Sequence, residues 1–161
     1  VRLQGTTSGF PALELLSHRG IMGKVKRTYD DSSFHAATKV IMPKDAIGFN
    51  AHDLISDTDN VVLTDGEGNF SLFEYSGVGT YHGHYLFNGA ENPFALAREM
   101  ISWMFKRVPD CSVIVGSTPV ENKGALFVTR RCGFKFIDTI SSPVGDLKIS
   151  ILTRSEFNKD E

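Results

Sequence analysis

The clearest pattern in the chain lies between residues 94 and 108. In FALAREMISWMFKRV, Leu96, Met100, Met104 and Val108 recur four apart, and Ala97, Ile101 and Phe105 form the adjoining row. That spacing predicts a helix with a broad buried stripe. Pro93 suits its first turn, Asn92 its cap, and Lys106 and Arg107 lie near its negative end. A second amphipathic stretch runs from Glu121 to Arg131, with Ala125, Leu126 and Val128 on its apolar side. Gly133 follows where a left-handed C-terminal cap belongs.

Between residues 60 and 87 the pattern changes to short strands and glycine-bearing turns. Residues 60–64, 70–75 and 80–87 read as three strands of an antiparallel meander, with turns at 65–69 and 76–79. Residues 112–116 form a short apolar run, as a covered central strand would. Residues 134–140 and 147–153 predict two more strands around a turn at 141–146. The tail from Arg154 is polar. The strand-helix-strand unit over 80–116 demands a crossover and a locally parallel pair.

The first 60 residues are less regular. Residues 11–22, PALELLSHRGIM, predict a short helix, with Pro11 at its start and Leu13, Leu15, Leu16 and Ile21 on its apolar side. Residues 31–42 predict another, capped by Asp31, Ser32 or Ser33 and ended by Pro43.

Composition narrows the classes. At 161 residues the chain has the length of one domain, expected to span 1–161 with a variable helical part at 1–59 and a sheet-and-helix core at 60–153. Hydrophobic residues make up 41% and charged residues 22%, which argues for a packed globule. Seventeen basic against nineteen acidic side chains give a formal charge of −2, so no global nucleic-acid footprint exists. The opening VRLQGTTSGF lacks the basic-then-apolar pattern of a secretory leader, and no apolar run suits a membrane span. A cytoplasmic location is expected. Cys111 and Cys132 are too few for a disulfide framework and are not spaced as a metal clip. They read as core residues or, less simply, as a reactive thiol. Trp103 and the methionines read as core and interface mass, which leaves a homo-oligomer open.

Two titratable groups stand out on the strands. His82 and His84 alternate, so they share one face with Leu86, while Tyr81, Tyr85 and Phe87 share the other. A strand histidine at a cleft could serve as a general base, since its ordinary pKa lies near neutrality. The same pair also fits a half-exposed strand face. A metal site would need two further ligands, and no Cys or third His has an evident spacing. Glu74, on the preceding strand, could act as a base if burial raised its pKa, or simply face solvent.

The order of elements, with the motif Asn122-Lys123-Gly124-Ala125-Leu126-Phe127-Val128-Thr129-Arg130-Arg131-Cys132-Gly133-Phe134, resembles the GNAT superfamily of N-acetyltransferases. Asn, then Ala three on, then Gly-Phe at eleven and twelve match that family's late helix. The resemblance covers residues 60–153. It implies an α/β (α+β) fold: a mixed, mostly antiparallel central sheet with helices on both faces. It also implies acetyl transfer from acetyl-CoA, as co-substrate, to an amine, with no metal. Two strands, ending near Phe87 and Gly116, would splay apart to admit the pantetheine arm. The pyrophosphate would then meet backbone amides at the start of the next helix.

Carried over residue by residue, the resemblance puts Phe87, Asn88, Gly89, Asn92, Phe94 and Asn122 at the coenzyme. His84 or Glu74 becomes the base, and Thr129 stands where many members carry a Tyr general acid. A Thr hydroxyl donates a hydrogen bond but is a far weaker acid than a phenol. The phosphate loop departs from the family as well. Glu91 and Pro93 stand where glycines are expected, and proline lacks an amide donor. Asn92 and Asn122 fit helix caps equally well. More narrowly, VPDCSVIVGSTPVENKGALFVTRRCGF is similar to small acetyltransferase-like proteins of tailed bacteriophages, some described as head-assembly proteins. So is Leu15-Leu16-Ser17-His18-Arg19 running into Tyr29-Asp30-Asp31. That likeness implies phage or host proteins as partners, in the host cytoplasm or the virion.

Overall fold

A computed structural model describes residues 24–41 and 50–159. The helix expected over 11–22 and the end of the one expected over 31–42 lie outside the described residues. Among the described residues seven strands form one sheet in the order β1-β2-β3-β4-β5-β7-β6. They are β1 (Lys26–Arg27), β2 (Val61–Thr64), β3 (Phe70–Tyr75), β4 (Thr80–Leu86), β5 (Val113–Pro119), β6 (Lys135–Ser142) and β7 (Gly145–Thr153). Among the described residues five helices accompany them: α1 (Asp31–Ile41), α2 (Ala51–Ser56), α3 (Pro93–Arg107), α4 (Lys123–Arg131) and α5 (Arg154–Lys159). Every neighbouring pair is antiparallel except β4 and β5, which are parallel and joined through α3. The crossover demanded by the sequence is therefore present.

Each face of the sheet has its own apolar cluster. On one face Leu96, Ala97, Met100, Ile101, Met104 and Phe105 of α3 pack on Leu63, Phe73, Tyr81, Ile114 and Leu152. On the other, Phe34 of α1 and Ala51 and Ile55 of α2 pack on Val62, Phe70, Leu72 and Leu86. Covering both faces explains why all four residues of β2 are buried.

The start signals act as read for α3 and α4. Asn92 Oδ1 accepts from the Ala95 amide at 3.0 Å, with Pro93 in the first turn. Asn122 Oδ1 accepts from the Ala125 amide at 3.0 Å, so α4 begins at Lys123 rather than Glu121. Gly133 follows α4 with φ at 100°, the left-handed cap expected of it. For α1 the cap is Asp30, not Asp31, Ser32 or Ser33. Its carboxylate accepts from the Ser33 amide at 3.2 Å.

Other boundaries differ for physical reasons. β5 runs through Gly116 to Pro119 because β7 pairs with it along that whole length. The turn expected over 141–146 tightens to Pro143 and Val144, since Ser142 pairs with Gly145, which carries a φ of 112°. The polar tail folds as α5, whose Phe157 is buried against Phe105 at 5.4 Å between ring centres.

Candidate active site

β4 and β5 pair only from Thr80–Val113 to Gly83–Gly116. Beyond that point β4 stays on β3 through Leu86, and β5 stays on β7 through Pro119. The backbone edges of residues 84–86 and 117–119 thus face each other across a gap. A cleft of about 170 Å³ fills it, lined by both strands, by Ile101 and by Asn122, Ala125 and Thr129 near or on α4. Gly116 lines it as well. A Cβ there would stand 2.9 Å from Ser150 Oγ, far inside van der Waals contact.

The strand period decides which groups enter from which side. His82, His84 and Leu86 point to the α1–α2 face, where Leu86 joins Phe34 and Ile55. Tyr81 and Tyr85 point to the α3 face. Glu74, on β3, lies directly opposite His82 in register. Its carboxylate Oε1 nevertheless meets His84, at 2.8 Å from Nε2. The two candidate bases are therefore one unit. The imidazole of His82 stacks on that of His84, with ring centres 4.7 Å apart. The hydrogen bond with His84 holds the Glu74 carboxyl below its usual range, against the opposing effect of partial burial. Burial pushes His82 below the ordinary imidazole value, and its Nε2 is buried without a hydrogen-bond partner.

Thr129 is buried and lines the cleft. Tyr85, from β4, lines the same cleft. Burial raises the Tyr85 hydroxyl well above the usual phenol range. Sequence reasoning placed Tyr85 on the apolar face and stopped there. The only signal was a hydroxyl-bearing aromatic in a strand position otherwise suited to Phe.

The residues expected at the coenzyme fall into two places. Asn122 lines the cleft. Phe87 and Phe94 pack on the edge of the α3-face core, Phe87 with its ring 5.4 Å from that of Tyr85. Asn88, Gly89 and Asn92 border a separate hollow of about 180 Å³ at the start of α3, shared with Asp65, Glu67 and Glu91. Three positions at this helix start offer no free amide. Pro93 has none, Ala95 donates to the Asn92 side chain, and Leu96 donates to the Asn92 carbonyl at 3.1 Å. A guanidinium does reach this end from α4: Arg131 lies 4.2 Å from the Phe94 ring centre. The cleft thus suits a pantetheine arm, with free strand edges for its amides. The hollow at the α3 start suits the phosphates poorly.

No protein-family model matches the chain, and no curated protein does. Solved structures do match. A mutant form of the spermidine N-acetyltransferase of Vibrio cholerae aligns at TM-score 0.68 and 11% identity, covering 85% of this chain and 99% of that one. A second mutant form of that spermidine/spermine N-acetyltransferase aligns at TM-score 0.65 and 14% identity, over 86% and 99% of the two chains. A GNAT-family acetyltransferase of Bacillus anthracis aligns at TM-score 0.60 and 14% identity, over 83% and 96%. The chain has the GNAT acetyltransferase fold. At such identities the likeness is one of fold, and it lends no support to the narrower phage resemblance. Among the described residues no helix is long and apolar enough to cross a membrane. No group of three or more His, Cys, Asp or Glu there could hold a metal ion.

Proposed function

We propose that the protein is an acyl-CoA-dependent N-acyltransferase that moves an acetyl group from acetyl-CoA to an amine. The observation that carries this reading is the gap between β4 and β5 with the His84–Glu74 pair beside it. The pantetheine arm runs along the free strand edges, and the thioester lies in the cleft. The amine approaches from the face that carries His84. With Nε2–H donating to Glu74, the free lone pair of His84 is on Nδ1, which takes the amine proton. The amine nitrogen bonds to the carbonyl carbon, the C–S bond breaks, and its electron pair leaves on sulfur. A strand amide polarises the carbonyl oxygen. Isothermal titration with acetyl-CoA tests the first step, and no binding at millimolar concentration sinks the reading. An acceptor panel of spermidine, benzylamine and an unblocked peptide tests the second. Spermidine leads it because two of the structural neighbours are named for it.

A second reading is a GNAT-fold protein that performs no transfer and acts through a protein partner. The committed amides and the acidic residues at the start of α3 favour it. The phage resemblance, with virion assembly or host interaction as the role, belongs to this reading. It expects His84→Ala to leave the biological activity intact while surface changes abolish it.

A further inference from the structure

Side chains two apart on one face of a strand stand about 6.6 Å from each other, since each residue advances about 3.3 Å. The rings of His82 and His84 are closer than that. Their centres lie 4.7 Å apart and their planes 18° apart, so the two imidazoles lean together and stack. The contact is kept at a cost. Nε2 of His82 is buried with no hydrogen-bond partner among the described residues. The register sets Glu74 on one side of His82 and Val115 on the other. Glu74 bonds to His84 instead, at 2.8 Å. His82 thus leaves the nearest carboxylate to its neighbour and offers that neighbour its own ring face.

One hydrogen bond does not fix an imidazole. A ring held only at Nε2 can still turn about the line from Nε2 to Cβ, and that turn swings Nδ1. A flat contact on the ring face stops it. Burial holds His82 below the ordinary imidazole value, so the supporting ring is neutral near pH 7. The face of a neutral aromatic ring also favours a cation above it, and a cation is what His84 becomes on taking a proton.

We propose that His82 is the positioning residue of the base, its ring face fixing the plane of the His84 imidazole so that Nδ1 meets the amine while Nε2–H stays on Glu74. The inference rests on the acyl-transfer reading above. The carboxylate then settles which nitrogen of His84 carries the proton, and the stacked ring settles where the other nitrogen points. In the step itself the amine nitrogen bonds to the acyl carbon and its proton goes to His84 Nδ1. The C–S bond breaks with its electron pair on sulfur. The imidazolium so formed has the Glu74 carboxylate at its edge and the His82 ring on its face. It returns the proton to solvent, and His82 is unchanged throughout.

The test compares His82→Phe with His82→Leu. Both remove the ring nitrogens and keep apolar bulk; only Phe keeps a flat face. The reaction uses acetyl-CoA and the panel amine that the wild-type protein acetylates. His82→Phe is expected to stay within about 3-fold of wild type in kcat and His82→Leu to fall by about 10-fold, with KM held for both substrates. The difference must pass through His84, so it vanishes from the residual rate in a His84→Ala background. His82→Met replaces His82→Leu if circular dichroism shows the latter unfolded. A Phe variant no faster than the Leu variant overturns the inference. So does a Phe–Leu difference that persists without His84. Either result leaves the acyl-transfer reading standing, whereas absence of transfer by the wild-type protein overturns both.

Discussion

His84 and Glu74 are hydrogen-bonded at 2.8 Å although the sheet register sets His82, not His84, opposite Glu74. The carboxylate reaches diagonally and fixes one ring nitrogen of the histidine further along the strand. Removing either partner therefore affects proton uptake by the other nitrogen. His84→Ala is expected to lower kcat for acetyl transfer by about 10²- to 10⁴-fold, the usual worth of a general base. Glu74→Gln is expected to cost less, about 10-fold, because the ring remains. Steady-state kinetics with circular dichroism as a control for folding would check both. Equal activity in His84→Ala would count for the non-enzymatic reading.

His82 predicts an acid sensitivity. Burial lowers its pKa in the folded protein, and the unfolded chain takes up a proton first, from the ordinary value of 6.5 downward. The stability it contributes is present above that pH and is lost as pH falls through the lower folded-state value. Urea denaturation at pH 7.5, 6 and 5 should show this loss, and His82→Gln should flatten it.

Gly116 predicts a coupled pair. Gly116→Ala drives a methyl to within 2.9 Å of Ser150 Oγ, a hydroxyl that is wholly buried and has no partner. A loss of about 1–3 kcal/mol is expected, as for other overpacked interiors. Ser150→Ala alone should be near neutral, since it removes an unsatisfied group. Combined, the two should recover much of the loss, giving a non-additive cycle in thermal melts.

The cysteines predict slow chemistry. Cys111 and Cys132 are buried, and burial pushes each thiol up to about 11. Ellman's reagent should label neither quickly in buffer and both quickly in urea. Fast labelling of the folded protein would mean that the interior near α4 opens readily.

Arg154 predicts a stability role for a segment that reads as a polar tail. Its guanidinium donates to the carbonyls of Phe105, Val108, Pro109 and Cys111, closing the C-terminal end of α3. Arg154→Met keeps the stem and loses these bonds, at an expected cost of about 3 kcal/mol. A melting temperature within a degree of wild type would refute it.

What could be read in advance followed from how many turns or pairs a segment repeats. α3 repeats its apolar stripe over four turns and carries a cap at each end, so its limits were legible. α2, AHDLIS, has six residues and buries only Ala51 and Ile55, too little to show a period. β5 seemed to stop at Gly116 because glycine breaks an apolar run. Its continuation comes from pairing with β7, which lies beyond α4 and β6 in the chain. The site was legible to the same degree. Strand alternation put His82 and His84 on one face, but the diagonal reach from Glu74 depends on register. Tyr85 looked like core, and it lines a cleft only because β4 and β5 part beyond Gly83 and Gly116.

The sheet also divides the labour of recognition. His84 looks out on the side where α1 and α2 pack, and Tyr85 and Thr129 on the side where α3 and α4 pack. On the acyl-transfer reading, whatever shapes the first side would choose the acceptor, and whatever shapes the second would choose the acyl donor. The two choices can then drift independently. On the same reading, grafting another acceptor-side segment in place of α1 and α2 would change the acceptor and leave the acyl-donor side untouched.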